Sequence, residues 1–400
     1  DHCVPERPNS AIMIYGKPYR GLKVVDASQG FAAPYCAGLL ALYGADVIKI
    51  EPTEGDWARG IGRNQAGQTP LHIVGNRGKR SIALDLKKPD ALSIVHRLAT
   101  DCDVFLESFR PGVSDRLGLS YEAIKAVSPD VLYLSVSGFG QDGIYRDRPA
   151  TDTVLQAFSG LMSINKGLDG IPHRVGMLAV DTSAALHAFQ ALQAALYARR
   201  DGGGGRWIQI DLMRTTASFL TQKITEYQME DGQPRGMHPP AGAYQTKDGW
   251  LVFTLVKNEH FTRLSKALGR PELAEDPRYI GFEQRLENSA ELIEMVTSLM
   301  AQHTTEEWIS RLHAEDVLSN PINTIGDWLQ DEHVRDTSAI GRVEQPDSGP
   351  VDVPIIPGTV FDPELYAPAV GEHGADILAE LGMSSSDIDN LAETGTVKLP

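Results

Sequence analysis

The first half of the chain alternates short apolar runs with longer stretches whose apolar residues recur at helical spacing. Leu22–Asp26 (LKVVD), Asp46–Glu51 (DVIKIE), Ser81–Leu86 (SIALDL), Asp103–Glu107 (DVFLE), Val131–Ser137 (VLYLSVS) and Trp207–Leu212 (WIQIDL) read as strands. Their β-branched, nearly continuous apolar character suits strands covered on both faces. Between them, residues 33–45 (APYCAGLLALYGA), Pro89–Thr100 and Tyr121–Val127 carry helical spacing, and the second of these opens on a proline. Repeated strand–helix units with short connections predict a parallel sheet with helices on both faces, a Rossmann-like α/β arrangement.

The texture then changes. Residues 152–200 are helix-rich, and Thr182–Arg200 stops at four glycines, 202–205. A further helix is predicted over 213–230. The Gly/Pro-rich stretch 231–245 marks a boundary, and Asp248-Gly249 between two apolar runs is a hairpin signal. Helices are predicted over 259–268, 284–302 and 304–315, short strands within 337–362, and helices near 371–381 and 385–392. A chain of 400 residues predicts two or three domains.

Composition narrows the function classes. With 37 basic and 53 acidic residues the formal charge is −16, which argues against nucleic acid or an anionic membrane as partner. A hydrophobic share of 42% excludes a disordered chain. Cys3, Cys36 and Cys102 form neither a disulfide framework nor a zinc site, so a reducing cytoplasm is the expected location. The start, DHCVPERPNS, has no apolar segment behind it, and no stretch reaches a membrane span.

Three features could carry chemistry. Asp181, in MLAVDTSAAL, precedes a long helix. Asp-Thr-Ser is an N-cap sequence, so a helix cap is one reading. The other is a carboxylate nucleophile whose charge is stabilised by helix amides. SGFGQDG at 137–143 follows a strand, as glycines do where backbone approaches a ligand, yet it departs from a dinucleotide signature. Basic clusters occur at 76–81 (NRGKRS), at 109–112 (FRPG) with Arg116, and at Arg146 and Arg148. Lying near strand ends, they suggest a phosphate-bearing ligand. The histidines are scattered, without metal-ligand spacing; His173 and His238 are candidates for lining a pocket.

In order and spacing, these segments resemble the class III CoA-transferase family. The resemblance runs from GLKVVDASQGFAAPYCAGLLALYGADVIKIE (21–51) through NRGKRSIALDLKKPD (76–90) and DVFLESFRPGVSDRLGLSYEAI (103–124). It continues in LSVSGFGQDG (134–143), TDTVLQAFSGLMS (151–163), GMLAVDTSAAL (176–186) and GAYQTKDGWLVF (242–253). It implies a Rossmann-like large domain over 1–230, a small α+β domain over 231–325, and a segment 326–400 returning to the large domain. It also implies open-ring subunits interlocked as a homodimer. No bound cofactor is implied; coenzyme A thioesters are substrates, with a small carboxylate as acceptor.

The family's catalytic aspartate falls on Asp181, which would have to stay ionised and shielded from water. Contacts to CoA carry over to Phe31, Ala32, Leu84, Lys87, Ser108, Phe109, Arg116 and Asp152, with Arg80 and Arg148 as further phosphate partners. Three departures from formyl-CoA transferase argue against formyl-CoA:oxalate transfer. Phe31 replaces a glutamine, for which Gln29 could substitute. Pro52 replaces a CoA-binding arginine. HPPAGAY stands in place of a four-glycine loop.

An α-methylacyl-CoA racemase is the alternative within the fold, but its histidine base would fall on Thr151, which cannot act as a base near neutral pH. The resemblance implies succinyl-CoA or a similar thioester as donor, and His173, Arg174 and His238 could bind a second carboxylate of the acceptor, which would favour a dicarboxylic acid.

Overall fold

The computed structural model describes residues 16–167, 170–232 and 238–400; Cys3 and the N-terminal stretch lie outside the described residues. Two compact units emerge: residues up to Thr221 together with Ser338–Pro400, and Gln222–Thr337.

The first unit is built on β1 (Lys23–Asp26), β2 (Asp46–Glu51), β3 (Arg80–Leu84), β4 (Val104–Glu107), β5 (Leu132–Ser137) and β6 (Arg206–Asp211). They are parallel and ordered β3-β2-β1-β4-β5-β6, with Val397–Lys398 added antiparallel outside β3. The strand direction of travel reverses between β1 and β4, where an open α/β sheet leaves a crevice at its carboxyl edge.

Alternation along the strands divides the core. Val24, Val47, Val104, Leu106, Leu132 and Leu134 face one layer, with Leu40 of α1 (Ala32–Leu42) and Ala184, Ala188 and Leu192 of a 22-residue helix, Ala179–Arg200. Val25, Ile50, Ile82, Phe105 and Tyr133 face the other, against Ile94, Ile124, Ile377 and Ile388. Both faces are buried, which is why the strands read as continuous apolar runs.

The second unit is a three-stranded antiparallel sheet of Gly242–Gln245, Trp250–Thr254 and Leu318–Pro321, covered by helices. The Asp248-Gly249 turn joins the first two strands, closed by Thr246 N–H to Gly249 O at 2.9 Å. Its core gathers Phe253, Phe261, Tyr279 and Trp308. Buried Arg285 donates to Tyr279 O and Asn258 Oδ1, both at 2.7 Å.

The helix expected over 213–230 is two, Leu212–Phe219 and Thr221–Met229, and that over 284–302 is Phe282–Glu287 and Ser289–Met300. The short strands expected within 337–362 are a hairpin, Ile340–Gln345 with Gly349–Pro354. Among the described residues no helix is long and apolar enough to cross a membrane.

Candidate active site

The crevice between β1 and β4 opens into a cleft of about 410 Å³. The turn after β1 and the turn after β4 meet there. Ser108 Oγ accepts from Gln29 N–H at 2.9 Å and donates to Gln29 O at 3.2 Å. Gly30, at φ +88°, lies against Trp57; a Cβ there would stand 2.2 Å from Trp57 Cζ2, so only glycine fits.

A fully buried ionic network holds this turn from below. Lys49 Nζ bonds Asp56 at 2.8 Å and also Ser28 O, while Asp56 accepts from Gly30 N–H at 3.0 Å. Lys79 Nζ bonds Asp26 at 2.7 Å, and Arg59 grips Glu51 through two nitrogens at 2.7 and 2.8 Å. Burial alone would raise the Asp26 carboxyl, but Lys79 and Lys49 overcome it and hold it below its ordinary value. Under β4's end, Glu107 accepts from Phe109 N–H at 2.7 Å, and burial pushes its carboxyl up to about 7.

The opposite wall of the cleft carries Asp181, in the first turn of helix Ala179–Arg200. The cap reading for Asp181 is overturned. Asp152, buried at the start of helix Asp152–Phe158, reaches across and accepts from Val180 N–H at 2.8 Å and Asp181 N–H at 3.1 Å. Gln156 Nε2 donates to the other Asp152 oxygen at 2.6 Å, and Gln156 Oε1 accepts from Val175 N–H at 2.9 Å. The orphan amides of the helix start are thus spent on Asp152. The Asp181 carboxylate has no hydrogen-bond partner among the described residues. Burial first, then the neighbouring Asp152 charge, push it up to about 7. The expected stabilisation of an ionised Asp181 by helix amides is therefore replaced by a carboxylate that is costly to charge.

Of the residues singled out in the sequence, Gln29, Phe31, Ala32, Ser108, Phe109, Arg148, Asp152 and Asp181 line this one cleft. Leu84 and Lys87 line a second cavity of about 330 Å³ that shares Gln29 and Phe109 with it. Arg116 lines neither and is exposed on the turn Val113–Arg116. Arg80 does not join them. It sits at the amino end of β3, opposite the cleft, and is occupied by Asp46 at 2.7 Å and Glu380 at 2.8 Å. His173 and Arg174 lie on an exposed stretch that lines neither cavity. His238 belongs to the second unit, where its ring packs 4.4 Å from that of Phe282.

Sequence reasoning missed Trp57 and Gln156, and read Arg110 only as part of a basic cluster. Gln156, four residues after Asp152 in a helical stretch, was visible as a pair spacing. Trp57 had no such signal.

The profile of CoA-transferase family III matches residues 19–374. The chain belongs to that family and is a CoA-transferase. It is 32% identical over 386 residues to the succinyl-CoA–D-citramalate CoA-transferase of Chloroflexus aurantiacus, covering 93% of this chain and 96% of the relative. It is 31% identical to the succinyl-CoA:glutarate CoA-transferase of Mus musculus, covering 96% and 91% respectively. The crystal structure of a CAIB/BAIF family protein from Brucella suis superposes with TM-score 0.80 at 31% identity, over 91% of this chain and 99% of that one.

Proposed function

We propose that the chain moves CoA from succinyl-CoA to a dicarboxylic acid through covalent chemistry at Asp181. The observation that carries this reading is the Asp181 carboxylate itself: in the cleft, without a hydrogen-bond partner among the described residues, and raised to about 7. A carboxylate of raised basicity is a better nucleophile once ionised. The related enzymes named for succinyl-CoA, glutarate and D-citramalate support dicarboxylic substrates.

Asp181 attacks the thioester carbonyl, the C–S bond breaks, and CoA leaves as thiolate. The product is a mixed anhydride of the donor acid and Asp181. Thiolate attack on the aspartyl carbonyl releases the donor carboxylate and leaves an aspartyl-CoA thioester. The acceptor carboxylate attacks that carbonyl and releases thiolate again, which then takes the acceptor acyl group and frees Asp181. Each bond broken resembles the one formed in activation, so no nucleotide triphosphate is consumed.

Gln29 reaches both cavities and takes the place of the glutamine that Phe31 replaces; its amide would steady the developing oxyanion. Phe31, Ala32, Ser108 and Phe109 would line the path of the CoA arm, with Leu84 and Lys87 toward its nucleotide. The interlocked homodimer in the cytoplasm belongs to the same reading, supported by the family alone.

The racemase reading is disfavoured by Thr151, which lines the cleft where an imidazole would be needed; among the described cleft residues there is no histidine. The test is mass spectrometry after mixing the protein with a panel of acyl-CoA thioesters and hydroxylamine. A hydroxamate on the Asp181 peptide, dependent on succinyl-CoA, is the expected result. An unmodified peptide combined with exchange of the α-proton into deuterated solvent would replace transferase with racemase.

A further inference from the structure

Of the three arginines that line the cleft, Arg110, Arg146 and Arg148, one is held against a cluster of aromatic rings. Arg148 lines the cavity that contains Asp181, and not the cavity that contains Leu84 and Lys87. Its guanidinium stands over three aromatic rings: Tyr145 at 5.1 Å, Phe139 at 5.7 Å and Phe158 at 6.0 Å. The rings brace one another edge-on, with Phe139 and Phe158 centroids 5.1 Å apart. Attraction to the ring faces holds the guanidinium at this cluster while leaving N–H groups available.

The neighbouring acids are engaged elsewhere. Asp147 lies 3.5 Å from Arg146, and Asp142 lies 3.8 Å from Arg214. Arg148 has no carboxylate partner among the described residues. Arg148 is exposed to solvent at the cleft, and a guanidinium there without a carboxylate partner among the described residues is available to an anion. The position is also tied to the reacting group. Phe158 ends the helix that Asp152 begins, and Asp152 holds the amides of Val180 and Asp181. One helix therefore sets both Arg148 and Asp181.

We infer that Arg148 binds the distal carboxylate of the acyl group, making it the residue that selects dicarboxylic over monocarboxylic substrates. This rests on the CoA transfer proposed above. It reassigns the role the sequence suggested for His173, Arg174 and His238, and moves Arg148 from phosphate contact to acyl contact. A planar carboxylate is matched by the guanidinium fork in a way a lysine ammonium would not reproduce.

The experiment compares wild type, Arg148→Gln, Arg148→Lys and Phe158→Leu with succinyl-CoA and butyryl-CoA as donors. It also measures the Kd of free CoA. Butyryl-CoA matches the succinyl chain but ends in a methyl group. The expected result for Arg148→Gln is a loss of kcat/KM about 50-fold greater with succinyl-CoA than with butyryl-CoA, as for a charge-assisted bidentate pair. Arg148→Lys recovers part of the difference. Phe158→Leu, which loosens the ring cluster and keeps the charge, shows a smaller loss in the same direction and serves if Arg148→Gln does not fold. An equal loss with both donors, accompanied by weaker binding of free CoA, would assign Arg148 to a CoA phosphate and overturn the inference. A donor preference unchanged in all three variants would overturn it too. Wild-type protein that transfers CoA from neither donor would instead remove the transferase reading on which the inference stands.

Discussion

Two groups of buried carboxylates in the first unit are treated in opposite ways. Beneath the Gln29–Gly30 turn, Asp26, Glu51 and Asp56 each face a lysine or arginine within 2.8 Å. Across the cleft, Asp152 and Asp181 stand together at a helix start with amides for one of them and no cation for either. The fold has cations to spare for buried acids, and it places none at Asp181. Glu107 also lacks a cation, but it accepts from Phe109 N–H; Asp181 has neither a cation nor a hydrogen-bond partner among the described residues, and that marks it as the group kept reactive.

The sharpest way to break that contrast is to remove the reactive acid. Asp181→Ala is expected to lower transfer at least about a thousandfold, as loss of a covalent nucleophile does, while CoA still binds by calorimetry. Transfer near the wild-type rate would take Asp181 out of the mechanism. Lys49→Met attacks the other side. It strands Asp56 in the interior, and the expected cost is about 3–5 kcal/mol of unfolding free energy by denaturant titration. A cost under about 1 kcal/mol would mean that the network does not brace the turn.

Acidity separates the two groups further. Because folding raises Asp181 from the ordinary 3.8 to about 7, its neutral form is favoured in the native state. The stability this confers is present below about pH 4 and is lost as pH rises toward 7. Asp181→Asn should therefore match wild type near pH 4 and exceed it above pH 7, by no more than about 2 kcal/mol given the carboxylate's partial exposure. Equal stability at both ends would refute the raised pKa of Asp181. In kinetics, kcat/KM should climb through a midpoint near pH 7 as the nucleophile ionises. The smallest effect concerns Asp152→Asn. Its oxygen can still accept from the helix amides, but its charge is gone, so that midpoint should move to lower pH. An unmoved midpoint would leave burial as the sole cause.

Much of the sheet was legible because its strands are short, β-branched apolar runs closed by glycine, proline or a charge, and that length and those flanks favour a strand buried on both faces over a helix. The same logic hid the ionic network. Lys49 sits inside a β-branched strand, where alternation alone does not distinguish a solvent-facing lysine from one buried against Asp56. Leu318–Pro321 and Val397–Lys398 were missed because a strand that short owes its existence to the partner it pairs with. Locally, Asp181 read either as a helix cap or as a carboxylate nucleophile, with nothing nearby to decide between them. The order of surrounding segments favoured the nucleophile, and what removed the cap reading was Asp152, 29 positions away and brought in by tertiary folding. The Arg148 ring cluster is local by contrast, drawn from the loop after β5 and the helix that follows it, but Phe139, Tyr145 and Phe158 share no helical or strand period that would have announced it.

The antiparallel pairing of Val397–Lys398 with β3 sets an order in time. On a ribosome, β3 emerges early, and the segment that closes its outer edge emerges after the entire Gln222–Thr337 unit. Until then the nascent sheet carries an open, apolar edge able to pair with another chain. Synthesis of this protein thus includes an interval of exposure whose length is set by the speed of translation, and slowing the ribosome beyond Thr337 would be expected to raise aggregation without altering a single contact of the finished molecule.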